Sequence, residues 1–410
     1  MSQRLYYTDS MLCEFDAHVA AVENASGRTA VILDRSAFYP SSGGQPFDTG
    51  WLELGPAQAA VRARVKEVIE DEASGRVLHL LETVPAGLEP GAAVHGAVDR
   101  ERRLDHMQQH SGQHVLSAAF VRLFGFETVS FHMGDESCTI DLAASALSAA
   151  QVREAESLAN RVIAEDRPVS IHFVSADEAR GMGVRKIPPA ERDRLRLIDI
   201  RDFDLNACGG THVSSTGQIG GMLLRKTENV RQGVRAEFVC GLRAVRIARR
   251  DFETLTEAAA VFSTHIWEVP AQARKSLDEV KAAQKAQHRL LEEVADLLAA
   301  DLLRQTAPRA DSSRRVTQFF ADRDLAFIKM LAQKLTKSAG VAALLGCGGT
   351  QPSLVFAQSA GLGNDMGALM KQAVQAMGTR GGGNRDMAQG GAPDAPAAER
   401  ALASASEKIG

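Results

Sequence analysis

Short apolar runs separated by Gly and Pro fill residues 1–95, and they predict strands over 29–33, 51–54, 60–68 and 77–81. The spacing then lengthens. Apolar residues between 107 and 120 recur at helical intervals and predict a helix there. A hairpin follows, with strands over 128–131 and 137–142, and then a helix over 148–165 that stops before Pro168, because the residue preceding proline avoids the helical region. Further strands are expected over 169–174, 195–200, 219–226 and 235–239.

From about residue 252 the pattern is that of a long polar helix. Val280, Ala283, Leu290, Val294 and Leu297 fall on steps of three and four, with Gln287 as a polar interruption. That spacing fits a helical hairpin, a coiled-coil spacer or a dimer seam, and equally packing against the chain's own domains. Residues 315–380 alternate strand (319–320, 341–345, 353–358) with helix (326–338, 366–376), an α/β pattern. Beyond Ala392 an Ala/Pro/Ser-rich tail reads as mobile. The expected class is α+β. It comprises a small β-barrel-like domain at 1–95, a central α+β domain at 96–250, a helical linker at 251–308 and an α/β domain with a flexible tail at 309–410.

Composition bounds the chemistry. At 410 residues, 45% of them apolar and 24% charged, the chain has material for two or three cored domains. Its five cysteines are odd in number and widely scattered, which argues against a disulfide framework. The start, MSQRLYYTDS, lacks a signal-peptide pattern, and no apolar run approaches the roughly 20 residues that span a bilayer. The expected location is the cytoplasm, with no membrane partner. Net charge is −4, yet residues 221–250 carry eight basic side chains against Glu228 and Glu237, a local excess of +6. Arg225, Lys226, Arg231 and Arg235 are the candidates there for contacts to a nucleic acid; a solvated helix over 242–250 accounts for part of the excess as well.

The sharpest chemical signal lies in two motifs. His110 and His114 are one turn apart on the predicted helix, so both emerge on one face. Far downstream, Cys208-Gly209-Gly210-Thr211-His212 sets a thiol and an imidazole around two glycines that permit a tight turn. Two His, a Cys and a third His make a tetrahedral donor set for one Zn2+ per chain. His106 repeats the spacing one turn upstream and reads as a surface or outer-shell residue. The run is not of the zincin type, since position 111 is Ser and no Glu is present.

Two glycine-rich stretches remain. Residues 37–50 pair Phe38 and Tyr39 with a Gly43-Gly44 turn, where backbone can approach a ligand or another strand closely. Residues 381–391, with Gly381-Gly382-Gly383 and Arg385, fit a phosphate cradle or a flexible loop.

Taken together, the 38–50 glycine motif, the HSGQH run, CGGTHV at 208–213 and VRAEFVCG at 234–241 resemble a free-standing alanyl-tRNA editing protein of the long-form AlaX family, over nearly the whole chain. The 381–391 segment resembles a domain shared by alanyl-tRNA synthetases and DHH-type phosphoesterases. The chain resembles the back half of an alanyl-tRNA synthetase; since it opens in the strand-rich region, neither aminoacylation nor ATP use is expected. What the resemblance implies is hydrolysis of the ester joining serine or glycine to the 3′ end of tRNA(Ala). Zinc on His110, His114, Cys208 and His212 would position the 3′ end and activate water. Ser111, Gln113 and His132 are the candidate catalytic or pocket-wall residues, Ser111 for the hydroxyl it sets between two ligands. A homodimer through the linker or the C-terminal domain is a further expectation. Two other readings stay open: a non-catalytic zinc-containing tRNA-binding factor, and a DHH-like phosphoesterase. Against the latter, the chain offers Asp105-His106-Met107 in place of an Asp-His-His triplet.

Overall fold

The computed structural model describes residues 2–25, 27–55, 61–71, 73–185, 194–231 and 233–409. The chain divides into two compact units, Met1–Glu257 and Ala258–Gly410.

The first unit opens with a closed six-stranded barrel. Its strands run in the order Glu14–Ala25, Arg28–Leu33, Arg76–Leu81, Val61–Asp71, Gly50–Leu54 and Ala93–Val98. Four of the six match the expected strands; residue 60, where one was expected to begin, lies outside the described residues. The two that complete the closure, Glu14–Ala25 and Ala93–Val98, were not anticipated. Glu14–Ala25 does alternate cleanly at its start, with Phe15, Ala17 and Val19 inward and Glu14, Asp16 and His18 outward. Inside the barrel, Val19, Leu33, Phe38, Leu52, Val65 and Val77 form the core.

The histidine helix, Arg100–Phe124, starts well before its predicted bound. Its first turn carries Arg103, which is fully buried with Asp48. The Arg103 guanidinium also donates to the carbonyls of Ser10 (2.8 Å) and Ala37, while Asp48 accepts from the Tyr39 amide at 2.7 Å. One buried ion pair therefore ties the helix to the barrel and to the glycine loop. A four-stranded antiparallel sheet lies against the helix, in the order Met222–Val230, Gly233–Cys240, Cys138–Leu142, Thr128–Met133. Helix Ala149–Ala164 covers it, opened by a Ser148–Gln151 capping box. A three-stranded sheet, Val169–Val174, Leu195–Ile200 and Asp204–Ala207, delivers the cysteine loop.

In the second unit a 37-residue helix, Val269–Gln305, has Pro270 in its first turn. Leu291, Ala295, Leu298, Ala299 and Leu302 pack on that unit's own core. The row singled out in the sequence stays outside: Val280, Leu290, Val294 and Leu297 are 54, 56, 41 and 73% exposed. The α/β pattern stands as a five-stranded sheet ordered Arg314–Phe320, Val341–Cys347, Ser353–Gln358, Met387–Gly391, Gly381–Gly383. Two expectations fail here. The glycine segment forms an edge strand paired to its neighbour rather than an anion cradle or a loose loop, with Gly383 set so close to the Ala388 backbone that a Cβ would overlap it. The tail is also ordered. Residues Ala395–Lys408 form a helix capped by Asp394, which buries Ala398, Leu402 and Ala405 on one face. Alanine's high helix propensity, and this i, i+4, i+7 row, outweigh the low-complexity composition.

Candidate metal centre

The tight turn of the 208–212 loop and the helix face meet as the spacing predicts. One donor atom from each of His110, His114, Cys208 and His212 lies within 4.8 Å of every other, and none of the four is exposed. Cys208 Sγ stands 3.3 Å from Nε2 of His110 and 3.3 Å from Nε2 of His212. Zinc bonds of about 2.0–2.3 Å give tetrahedral edges of about 3.4–3.6 Å, close to the two sulfur–nitrogen distances, while the widest separation in the set would contract on binding. Gly210 is required at its position: a Cβ there would overlap the His110 ring.

Each imidazole is held from behind. His110 Nδ1 lies 2.7 Å from Gln45 Oε1, His114 Nδ1 lies 3.2 Å from Asp204 Oδ2, and His212 Nδ1 lies 3.1 Å from Ser111 Oγ. With every Nδ1 engaged, Nε2 is left for an ion; such outer partners orient metal-binding histidines and fix their tautomer. Gln45 does more, since its Oε1 also accepts from the Thr211 amide (3.1 Å) and its Nε2 donates to Thr211 Oγ1 (2.8 Å). Asp204 is itself anchored by Arg185 at 2.8 Å.

The electrostatics run the same way. Burial pushes the Cys208 thiol up, but the imidazoles of His110 and His212 outweigh it and hold the thiol well below its ordinary value. Burial lowers His114, yet the Asp204 carboxylate and the Cys208 sulfur bring it up to about 9, while burial takes His212 down to about 3. Without a metal, the cluster favours a thiolate beside a protonated His114. Coordination would release that proton.

The other nominated residues are committed to neighbours or turned away from the cluster. The Ser111 hydroxyl is committed to His212 and to the Val213 amide (3.2 Å), and Gln113 Nε2 donates to Ser117 Oγ at 2.8 Å. His132 is exposed on its strand; strand alternation instead turns its neighbour Phe131 toward His110, with ring centroids 5.5 Å apart. His106 is only 4% exposed, so it is not a surface residue, and its Nδ1 has no partner. Of the basic candidates, Arg235 pairs with Asp141 at 2.7 Å, Lys226 with Glu228 at 2.7 Å and Arg225 with Asp251 at 3.1 Å. Arg231 is exposed.

Beside the donor cluster lies a cavity of about 170 Å³ lined by Tyr6, Tyr7, Tyr39, Ser42, His110 and Cys208, among others. Gln45, Asp204, Tyr6 and Tyr7 are not among the residues nominated from the sequence, whereas Tyr39 lies in the 37–50 motif singled out there. Of those not nominated, only Gln45, which directly follows the quoted Gly43-Gly44 pair, carries a local signal.

The family model described as the threonyl and alanyl tRNA synthetase second additional domain matches residues 195–235, which include the cysteine loop. A second, described as tRNA synthetases class II (A), matches residues 4–102, the barrel and its flanks. Alanine–tRNA ligases of Pyrococcus abyssi and Archaeoglobus fulgidus are 31 and 32% identical over 98 and 95% of this chain, which spans 43 and 42% of their lengths. That of Pyrococcus furiosus is 35% identical over 73% of the chain and 32% of its own length. The chain therefore spans less than half of the curated relatives it matches. These matches bear out the resemblance to alanyl-tRNA synthetase that the motifs carry. Among the described residues, no helix is long and apolar enough to cross a membrane.

Proposed function

We propose that this chain, an AlaX-like relative of alanyl-tRNA synthetase, hydrolyses the 3′ aminoacyl ester of tRNA(Ala) mischarged with serine or glycine, acting in the cytoplasm. The observation that carries the reading is the set of three imidazoles whose Nδ1 atoms are all engaged and whose remaining nitrogens converge with the Cys208 thiol beside a small cavity.

An aminoacyl ester is already activated, so its cleavage asks for a held 3′ end, a positioned water and a polarised carbonyl. His110, His114, Cys208 and His212 would hold zinc, which when bound supplies Lewis acidity toward water or the ester carbonyl. Gln45, Asp204 and Ser111 hold the three rings and so limit the reorganisation that binding asks of the donors. The cavity is smaller than the roughly 300–1,000 Å³ of sites that enclose drug-sized ligands, so it suits a small acyl group rather than a whole nucleoside. Phosphate contacts are assigned to the exposed Arg231 and Lys226, so binding should weaken as salt is added. The ligase activity in the relatives' names is not proposed for this chain.

Four protein donors around one ion also suit a purely structural site, and that observation favours the second reading, a non-catalytic tRNA-binding factor. Incubating purified protein with Ser-tRNA(Ala) and Ala-tRNA(Ala) separates the two. Loss of the seryl ester alone is expected; if neither ester disappears faster than without protein, the deacylase reading fails. The exposed Val280, Leu290, Val294 and Leu297 row is read as a seam between two copies, which sedimentation of a Leu297→Glu variant would test.

A further inference from the structure

We infer that the Tyr6 hydroxyl reads the side chain of the acyl group, partnering an oxygen-bearing side chain and penalising a purely aliphatic one; this rests on the deacylase reading above. The 410-residue chain holds three tyrosines, and all three line the cavity beside His110 and Cys208. Their rings meet edge to face, Tyr6 with Tyr7 at 5.0 Å and Tyr6 with Tyr39 at 5.2 Å between centroids.

Two of the hydroxyls are spoken for. Tyr7 accepts from Arg4 Nη1 at 3.0 Å, and Tyr39 donates to the Ser42 carbonyl at 3.0 Å. The Tyr6 hydroxyl makes no well-formed hydrogen bond, the Arg4 guanidinium being its charged neighbour, although the residue is completely buried. An unpartnered buried hydroxyl is destabilising, and phenylalanine would fill the same space without that cost. Burial also pushes the phenol above its ordinary value, so it keeps its proton to donate. Arg196, stacked on the Tyr7 ring, carries a second unpartnered donor nearby. Its Nε and Nη1 hold the carbonyls of Tyr7 (2.9 Å), Cys208 (2.7 Å) and Gly210 (2.9 Å), while its Nη2 has none.

The other hydroxyl and amide near the donor cluster are already used. Ser111 serves His212 and Val213, and Gln113 serves Ser117. Tyr6 is therefore a buried polar group without a well-formed hydrogen bond at a cavity sized for one small acyl group. A site built to hydrogen-bond a substrate hydroxyl rejects the analogue lacking it by about 10⁴-fold, whereas a pocket that merely tolerates the hydroxyl discriminates by only about 10²-fold.

Hydrolysis of Ser-tRNA(Ala) and of tRNA(Ala) carrying 2-aminobutyrate, which replaces the hydroxyl by a methyl, tests this on the full chain. Wild type should prefer the seryl ester by about 10⁴-fold in kcat/KM, and Tyr6→Phe should reduce that preference to about 10²-fold or less. The variant should keep full metal content and an equal or higher Tm, a pairing that a merely structural Tyr6 would not produce. Equal wild-type rates on the two esters, or an unchanged ratio in Tyr6→Phe, overturn the inference while leaving the deacylase reading intact. Absence of hydrolysis of any mischarged ester by wild type removes both.

Discussion

Gln45 Oε1 lies 2.7 Å from His110 Nδ1, so a residue of the barrel's glycine loop sets the orientation of an imidazole on the central helix. The same carboxamide holds both the amide and the hydroxyl of Thr211, between Cys208 and His212. One side chain thus registers both halves of the donor set. Gln45→Ala should lower zinc affinity by about 10–100-fold, the usual cost of losing an outer-shell partner. Competition against a chelator measures it; an unchanged affinity would show that the helix alone fixes His110.

Beneath that contact sits the Arg103–Asp48 pair, with neither side chain exposed. Removing one partner leaves a buried charge uncompensated. Arg103→Met should destabilise the fold by about 3–5 kcal/mol, and Arg103→Met with Asp48→Leu should recover a large part of that. Chemical unfolding of the two variants checks the difference; equal losses would mean the pair is not coupled.

Acid should weaken the barrel through His79. Its ring is wholly buried, bonded to Ser36 Oγ at 2.7 Å and to the Val31 carbonyl at 2.9 Å. Burial takes it from 6.5 down to about 4. The folded state then resists protonation while the unfolded chain accepts it. The contribution is fully present above about pH 6.5 and is lost as pH falls toward 4, worth about 3 kcal/mol in all. Thermal unfolding of wild type and His79→Gln across that range should converge on acidification, and a constant gap would contradict the assignment.

How far the sequence reached depends on whether a signal is local. His110 and His114 share a helix turn, and Cys208 and His212 share a glycine turn, so each half was legible from spacing alone. Asp204, Tyr6 and Arg196 were not, because nothing near them in sequence reports that they converge on the same cluster. Phe131 rather than the nominated His132 faces His110, a parity along the strand that only the register with Cys138–Leu142 fixes. In the second unit, composition misled. An alanine-rich tail reads as mobile until Ala398, Leu402 and Ala405 find a core to bury against.

Metal content is the most direct test of the centre itself. Elemental analysis of the purified full chain should find one zinc per polypeptide, and His114→Ala and Cys208→Ala should each lose most of it. Wild type without zinc, or variants that retain a full equivalent, would contradict the assignment of these four side chains to one ion.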